Sequence, residues 1–354
     1  MLLSVNGRFR VHKAAGLQRY AEELLARFSG RVDVVQPKRK LKGVSGHAWE
    51  QFRLPGLAGP GLLWSPCNTG PVIHRRQVIT IHDLFPLDHP DWFTPSFTRA
   101  YKAILPALTR RARRIIAVSE YTRQRLIERL KVPPEKVSVI HSGVGSQFHP
   151  CGASTVEAMH AALSLPSRKY FLSVSSLEPR KNVGAILAAW EQSLPYLAPD
   201  CWLVLAGGSG SQTVFSSLNL TRIPSRVFFT GYVEDRILPA LYSGSIGFVF
   251  PSLAEGFGLP LLEAMRCGTP AITSNNSSLV EVAGGAAIQV DPADISSIAR
   301  AIVQMASDAG VREALRELGL KQAARFSWDV AADKTWSVLE TEQLALEELK
   351  YGIA

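Results

Sequence analysis

Glu255-Gly256-Phe257-Gly258-Leu259-Pro260-Leu261-Leu262-Glu263, running on to Gly268-Thr269-Pro270, sets two carboxylates eight residues apart around a glycine-punctuated turn. The apolar run at 246–250 ahead of it reads as a buried strand. Pro260 suits the first position of a helix, where no amide hydrogen bond is lost. Gly268 fits just past that helix, and Pro270 blocks its continuation. The spacing therefore predicts strand, turn and a short helix over 260–267. Free amides at the helix start, reached through Gly256 and Gly258, form a seat for phosphate. Glu255 lies ahead of the seat and Glu263 within the first helical turn. Neither acid holds phosphate, so each is assigned to accept hydrogen bonds from sugar hydroxyls. A phosphate flanked by hydroxyl acceptors describes a nucleotide sugar. Taken singly, each Glu also reads as an ordinary helix-dipole residue.

Outward from this stretch the chain alternates strands and helices. In the second half, strands are predicted at 170–174, 201–206, 227–230, 246–250, 271–273 and 287–290, with helices at 183–193, 234–243 and 295–306. The first half offers strands at 2–5, 32–36, 77–81, 114–118 and 137–140, with helices at 16–28, 96–111 and 120–130. Ser119 reads as the N-cap of the last of these. Such alternation implies parallel sheets covered on both faces. The loop at 142–147 and the weakly patterned segment to Pro166 read as a junction. The fold class is therefore α/β, with doubly wound domains at 1–165 and 166–327 facing one another across a cleft. Ser175-Ser176-Leu177-Glu178-Pro179-Arg180-Lys181-Asn182 follows a predicted strand, so Arg180 and Lys181 stand where phosphate would meet one forked and one point charge. His82-Asp83 ends another strand, and Gly207-Gly208-Ser209-Gly210 a third.

Bulk composition narrows the function classes. The chain has 354 residues, 46% of them apolar, enough for two domains that each bury a core. No apolar stretch approaches the roughly 18 residues of a membrane span. The start is too short for a signal peptide and reads as a strand. Four scattered cysteines argue against zinc or a disulfide framework, and for a cytoplasmic setting. Residues 1–165 carry 24 Lys/Arg against 11 Asp/Glu, whereas the remainder carries 15 against 19. This basic first half, with Arg110, Arg111, Arg113 and Arg114 clustered, fits an anionic membrane surface on which the protein is peripheral, or else a solvated helix end. No nucleic-acid motif accompanies it.

The Glu255–Glu263 element resembles the E-x7-E signature of the retaining glycosyltransferases of family four, whose fold is the two-domain GT-B arrangement. Glu178-Pro179-Arg180-Lys181-Asn182 is similar to that family's E-P-R-K-N form, and His82-Asp83-Leu84 to its strand-H-D-L pattern. Ala14-Ala15-Gly16 resembles its glycine loop, with Ala15 a departure. Ile140-His141-Ser142-Gly143-Val144-Gly145 resembles its junction, with Ser142 and Gly145 replacing the usual Asn and Asp. The resemblance implies that Arg180 and Lys181 bind the donor diphosphate and offset leaving-group charge. It also implies that Glu255 holds donor sugar hydroxyls and Glu263 the ribose, while His82 assists at the transferred sugar. Gly16, Phe257, Gly258 and Leu259 would meet the donor, and backbone at Val233 would read its base.

His47-Ala48-Trp49-Glu50-Gln51 resembles a segment of the mannosyltransferase-like branch, and Ser119-Glu120 resembles the family's V-S-E/x element, making His47, Trp49 and Ser119 acceptor-side candidates. A buried Trp49 and a capping Ser119 are the structural alternatives. The final helix at 328–354 would pack back on the first domain. The implied activity is metal-independent, cofactor-free hexosyl transfer with retention, from GDP-mannose or a UDP-sugar to a polysaccharide or lipid-linked saccharide. A nucleotide-sugar epimerase on the same fold is the alternative enzyme. A basic membrane-associated binding protein without turnover is the alternative of another class.

Overall fold

The computed structural model describes residues 3–11, 16–41, 43–174, 176, 178–208 and 223–351. The expected contributions of Leu2, Ala14, Ala15, Ser175, Leu177, Ser209 and Gly210 lie outside the described residues. Contacts divide the chain into two compact units, Met1–Gly143 with Ser327–Ala354, and Val144–Phe326.

The first unit holds β1 (Leu3–Asn6), β2 (Val32–Val35), β3 (Leu63–Ser65), β4 (Gln77–Ile81), β5 (Arg114–Ala117) and β6 (Val137–Val139). They form a parallel sheet in the order β2-β1-β3-β4-β5-β6. Every residue of β4 is buried, as in a strand covered on both faces. One side of β4 and β5 packs through Ile79, Ile81 and Ile115 onto Leu105 and Leu108 of helix Pro95–Arg111 and Leu126 of helix Glu120–Leu130. Ser119 caps the latter helix, accepting the Thr122 amide at 3.0 Å, so this side chain is fixed by a structural task.

The terminal helix Trp328–Tyr351 belongs to this unit. Trp336 meets Phe28 with ring centroids 5.4 Å apart, and Arg27 pairs with Asp329 at 2.6 Å. Glu342 receives Arg113 at 2.7 Å and Arg114 at 3.2 Å. Two arginines of the basic cluster thus serve an internal ion pair rather than an outside surface.

The second unit holds β7 (Lys169–Val174), β8 (Cys201–Ala206), β9 (Val227–Gly231), β10 (Gly247–Phe250), β11 (Ala271–Ser274) and β12 (Ile288–Val290). Its parallel order is β12-β11-β10-β7-β8-β9, the doubly wound order of dinucleotide-binding folds. Trp190 of helix Val183–Ser193, wholly buried, anchors the core with Phe171, Leu203, Ile298 and Ile302. Asp294 and Asp308 cap the helices Ile295–Ser307 and Ala309–Ala323.

The units meet at Gly143–Val144, well before the expected boundary at 165. The reason is helix Ala153–Leu163, which lies where a junction segment was expected. His160 meets Tyr170 of β7 edge-on at 5.5 Å, and Val156 approaches Gly244 beside helix Leu238–Ser243, so the helix belongs with the second core. The four cysteines are unpaired. Among the described residues no helix is long and apolar enough to cross a membrane.

Replacing Glu342 by Ala leaves two half-buried guanidinium groups without their shared acceptor. The loss is expected to be about 2 kcal/mol, read as a lower urea midpoint of a two-state transition. An unchanged midpoint would show that the terminal helix is held by packing alone.

Candidate functional site

In the second sheet the chain order reverses between β7 and β10. The loops leaving the carboxyl ends of these two strands therefore lie side by side, where open α/β sheets present ligand sites. After β7, Pro179–Lys181 form a single 3-10 turn that ends at Asn182, whose φ is +57°. The Asn182 amide group donates to the Pro251 carbonyl at 3.0 Å and the Pro292 carbonyl at 2.8 Å. The Leu253 amide donates back to the Arg180 carbonyl at 2.8 Å. These bonds lock the two loops together.

Their side chains converge on Glu255. Arg180 Nη1 lies 2.5 Å from Glu255 Oε2, and Lys181 Nζ lies 2.7 Å from Oε1. Arg180 Nε reaches outward to Glu178 at 2.6 Å. Lys181 Nζ also sits 4.7 Å from the centre of the Phe250 ring, a cation–π contact. Lys181 and Glu255 are 6% and 5% exposed. Burial pushes the Glu255 carboxyl up, but Lys181 and then Arg180 hold it below the usual carboxylate value. The side chain of Arg180 is 21% exposed and that of Glu178 51%, so the outer pair faces solvent while the inner one does not.

The turn after Glu255 is built as tightly. Ser278 Oγ lies 2.8 Å from both the Glu255 and the Phe257 carbonyls, and the Glu255 amide donates to Ser277 Oγ at 3.1 Å. Gly258, with φ +105°, turns the chain into helix Leu259–Arg266. A Cβ at Gly258 would stand 2.7 Å from Leu279 Cδ2, so glycine is needed here on two counts. The amides of Gly258 and Leu259 precede the first helical bond, which Leu261 donates to Gly258 at 3.0 Å. The helix starts one residue earlier than expected, which makes Pro260 its second residue. Glu263 is correspondingly its fifth residue and lies beyond the first turn, contrary to expectation. It is buried and accepts the Tyr242 hydroxyl at 3.2 Å.

The arrangement offers a diphosphate a partly exposed guanidinium, a buried ammonium and helix-terminal amides. The sequence matches the family description "Glycosyl transferases group 1" over residues 146–322 and "Glycosyltransferase Family 4" over 51–148. It is 32% identical over 267 residues to O-antigen chain mannosyltransferase B of Escherichia coli, covering 74% of this chain and 70% of that protein. It is also 35% identical over 261 residues to the serotype-specific mannosyltransferase WbdA of the same organism. That match covers 72% of this chain and 32% of WbdA, so the chain spans about a third of that relative. The chain belongs to the family-four glycosyltransferases. Its fold matches that of HepE from Anabaena, solved with UDP-glucose, at TM-score 0.75 and 18% identity, covering 96% of this chain and 99% of HepE.

Of the expected site residues, the structure gathers Arg180, Lys181, Glu255, Phe257, Gly258, Leu259 and Glu263 at one end of the glycosyltransferase's second sheet. Val233, buried, follows Gly231 at the end of β9. It stands two strand spacings, about 10 Å, from β7. The remaining candidates lie in the first unit. Gly16 opens helix Gly16–Arg27. Trp49, partly buried, packs against the small apolar cluster of Leu54, Ala58 and Leu63. His47 faces Glu50 instead, at 3.6 Å.

His82 is 9% exposed, and its Nε2 lies 2.8 Å from the Pro66 carbonyl, which only accepts. The proton is therefore on Nε2 and Nδ1 is an acceptor. Burial lowers this imidazole to about 4, with the Pro66 carbonyl opposing. Sequence reasoning passed over Glu178, Asn182, Ser278 and Tyr242 as working parts. Glu178 and Asn182 flank the basic pair in the quoted motif, but nothing local marks Ser278 or Tyr242.

His82 makes its own contribution to the pH dependence of stability. The unfolded chain binds a proton below about 6.5 and the folded one only below about 4. The contribution of His82 is thus full above pH 6.5 and falls by about 3 kcal/mol as pH drops to 4. Urea midpoints for wild type and His82→Asn across this range should show a shallower slope in the variant. Gly258→Ala should cost more than about 1 kcal/mol through its backbone angle alone. A thermal midpoint equal to wild type would show that the turn relaxes around a Cβ.

Proposed function

We propose that this glycosyltransferase moves mannose from GDP-mannose to a saccharide acceptor, with retention at the anomeric carbon. The observation that carries the reading is the closing of Arg180 and Lys181 on Glu255 beside the Gly258 helix start. The mannosyltransferase names of its relatives supply the sugar.

In this reading the diphosphate lies against Arg180 and the amides of Gly258 and Leu259. Arg180 exchanges its exposed partner Glu178 for phosphate oxygen, while Lys181 stays on Glu255. Glu263 holds the ribose and Val233 backbone the base. One lone pair of Glu255 faces the hydroxyls of the transferred sugar. The bond from the anomeric carbon to the diphosphate oxygen breaks as the acceptor oxygen bonds that carbon from the same face. The acceptor proton passes to the departing phosphate, leaving GDP. Positive charge from Arg180 and Lys181 steadies that phosphate, in the role a metal ion has elsewhere. His82, a neutral imidazole, contributes a hydrogen-bond acceptor rather than a charge.

Donor hydrolysis measured across GDP- and UDP-sugars tests the assignment without knowledge of the acceptor. GDP-mannose should be the best donor, and Arg180→Ala should lower its kcat/KM by roughly 100- to 1000-fold. Preference for a UDP-sugar would overturn the donor, and an epimerised nucleotide sugar as sole product would overturn transfer itself. Undiminished turnover in Arg180→Ala would remove the proposed diphosphate seat.

A further inference from the structure

The two acids of the second unit are oriented by different chemistry. Cations close on Glu255, whereas Glu263 Oε2 accepts a neutral hydroxyl, that of Tyr242, at 3.2 Å. Glu263 is 5% exposed and Tyr242 wholly buried, so the bond is shielded from water. Tyr242 comes from helix Leu238–Ser243. Its ring meets two others edge-on, Phe248 with centroids 5.3 Å apart and Phe148 at 6.2 Å.

The backbone of Tyr242 is fixed as well. Its carbonyl accepts the Ser245 amide at 3.0 Å, Ser245 Oγ at 2.8 Å and Thr269 Oγ1 at 2.8 Å. The Thr269 amide in turn donates to the Ala264 carbonyl at 2.9 Å, next to Glu263. Tyr242 is thus tied twice to the helix that carries Glu263, through Thr269 at its far end and through the hydroxyl. A side chain held by packing on both ring faces and by an anchored backbone keeps its partner in one geometry.

A hydroxyl donor orients a carboxylate without cancelling its charge. A carboxylate that keeps its charge makes stronger hydrogen bonds to sugar hydroxyls than a neutral acceptor does. The donor on Oε2 also fixes the carboxylate plane, and with it the direction in which Glu263 accepts a further hydroxyl. Phenylalanine would fill the same ring cage and lose only that control.

We propose that Tyr242 is a positioning residue that aims Glu263 at the ribose hydroxyls and so makes the site select a ribonucleotide. The proposal rests on the reading of Glu263 as the ribose acceptor and assigns the orientation of that acid to Tyr242.

Calorimetric titration of the full chain with GDP, UDP and their dideoxy forms, which lack both ribose hydroxyls, tests it. Wild type should bind its ribonucleotide roughly tenfold more tightly than the dideoxy form. Tyr242→Phe should reduce that ratio by roughly fivefold while the affinity for the dideoxy form stays at the wild-type value. General loosening of the fold would weaken both forms alike. Added to Glu263→Gln, Tyr242→Phe should change the ratio no further, because it acts through Glu263. Circular dichroism shows whether each variant is folded. If Tyr242→Phe is not, Thr269→Val, which frees the Tyr242 carbonyl and keeps its hydroxyl, should lower the same ratio. An unchanged ratio in the folded variants, or an equal loss for both forms, would overturn the proposal and leave the donor reading standing. A wild type that binds both forms equally would overturn the ribose role of Glu263 and this proposal with it. One that binds neither nucleotide would overturn the donor reading itself, and this proposal with it.

Discussion

A carboxylate with 5% of its surface exposed does not remain ionised unless cations reach it, and Glu255 has two. Arg180 and Lys181 cannot reach it unless the loops after β7 and β10 are fixed against each other. That fixing is done by Asn182, which bonds the carbonyls of Pro251 and Pro292, and by the Leu253 amide. The ion cluster and the loop geometry therefore stand or fall together. Within the cluster, Arg180 and Lys181 balance Glu255 and Glu178. Only Glu178 is half exposed, so only Glu178 can give way to an incoming anion at small cost. The cluster then presents one net positive charge where phosphate would lie.

The same logic recurs in the first unit. Each sheet reverses its strand order once, and each reversal gathers an arginine onto a buried glutamate: Arg180 on Glu255, Arg8 on Glu50. The chemistry differs because the second unit adds Lys181 and a helix start, whereas the first adds Asn6 and Thr69.

Much of this was readable from local chemistry. Helices Glu120–Leu130 and Val183–Ser193 lie where expected, because the Ser119 cap and the strong apolar pattern of the second mark their limits. Strand Leu63–Ser65 was missed because three residues carry no periodicity, although it sits in mid-sheet. Helix Ala153–Leu163 carries little sequence signal, because it buries little beyond Met159 and His160 and has Gly152, without a side-chain cap, at its start. The basic pair and the two glutamates of the second unit were legible as a motif. Glu50 was not. Its hydrogen-bond partners Asn6 and Thr69 lie 44 and 19 residues away, so no local pattern marks it.

The eight-residue spacing of Glu255 and Glu263 follows from the turn between them. Glu255 lies three residues before the Gly258 cap, at the level of the cations, and Glu263 is the fifth residue of the helix that the cap opens. At 1.5 Å per residue, Glu263 stands roughly 6 Å further along that helix than its first amide. The two acids consequently differ in environment. One is neutralised by paired cations, and the other is bonded to the Tyr242 hydroxyl. A shorter spacing would bring both carboxylates onto the same cations, and a longer one would carry Glu263 toward the far end of an eight-residue helix. The interval thus separates a charge-paired acid ahead of the helix from a hydroxyl-bonded one within it.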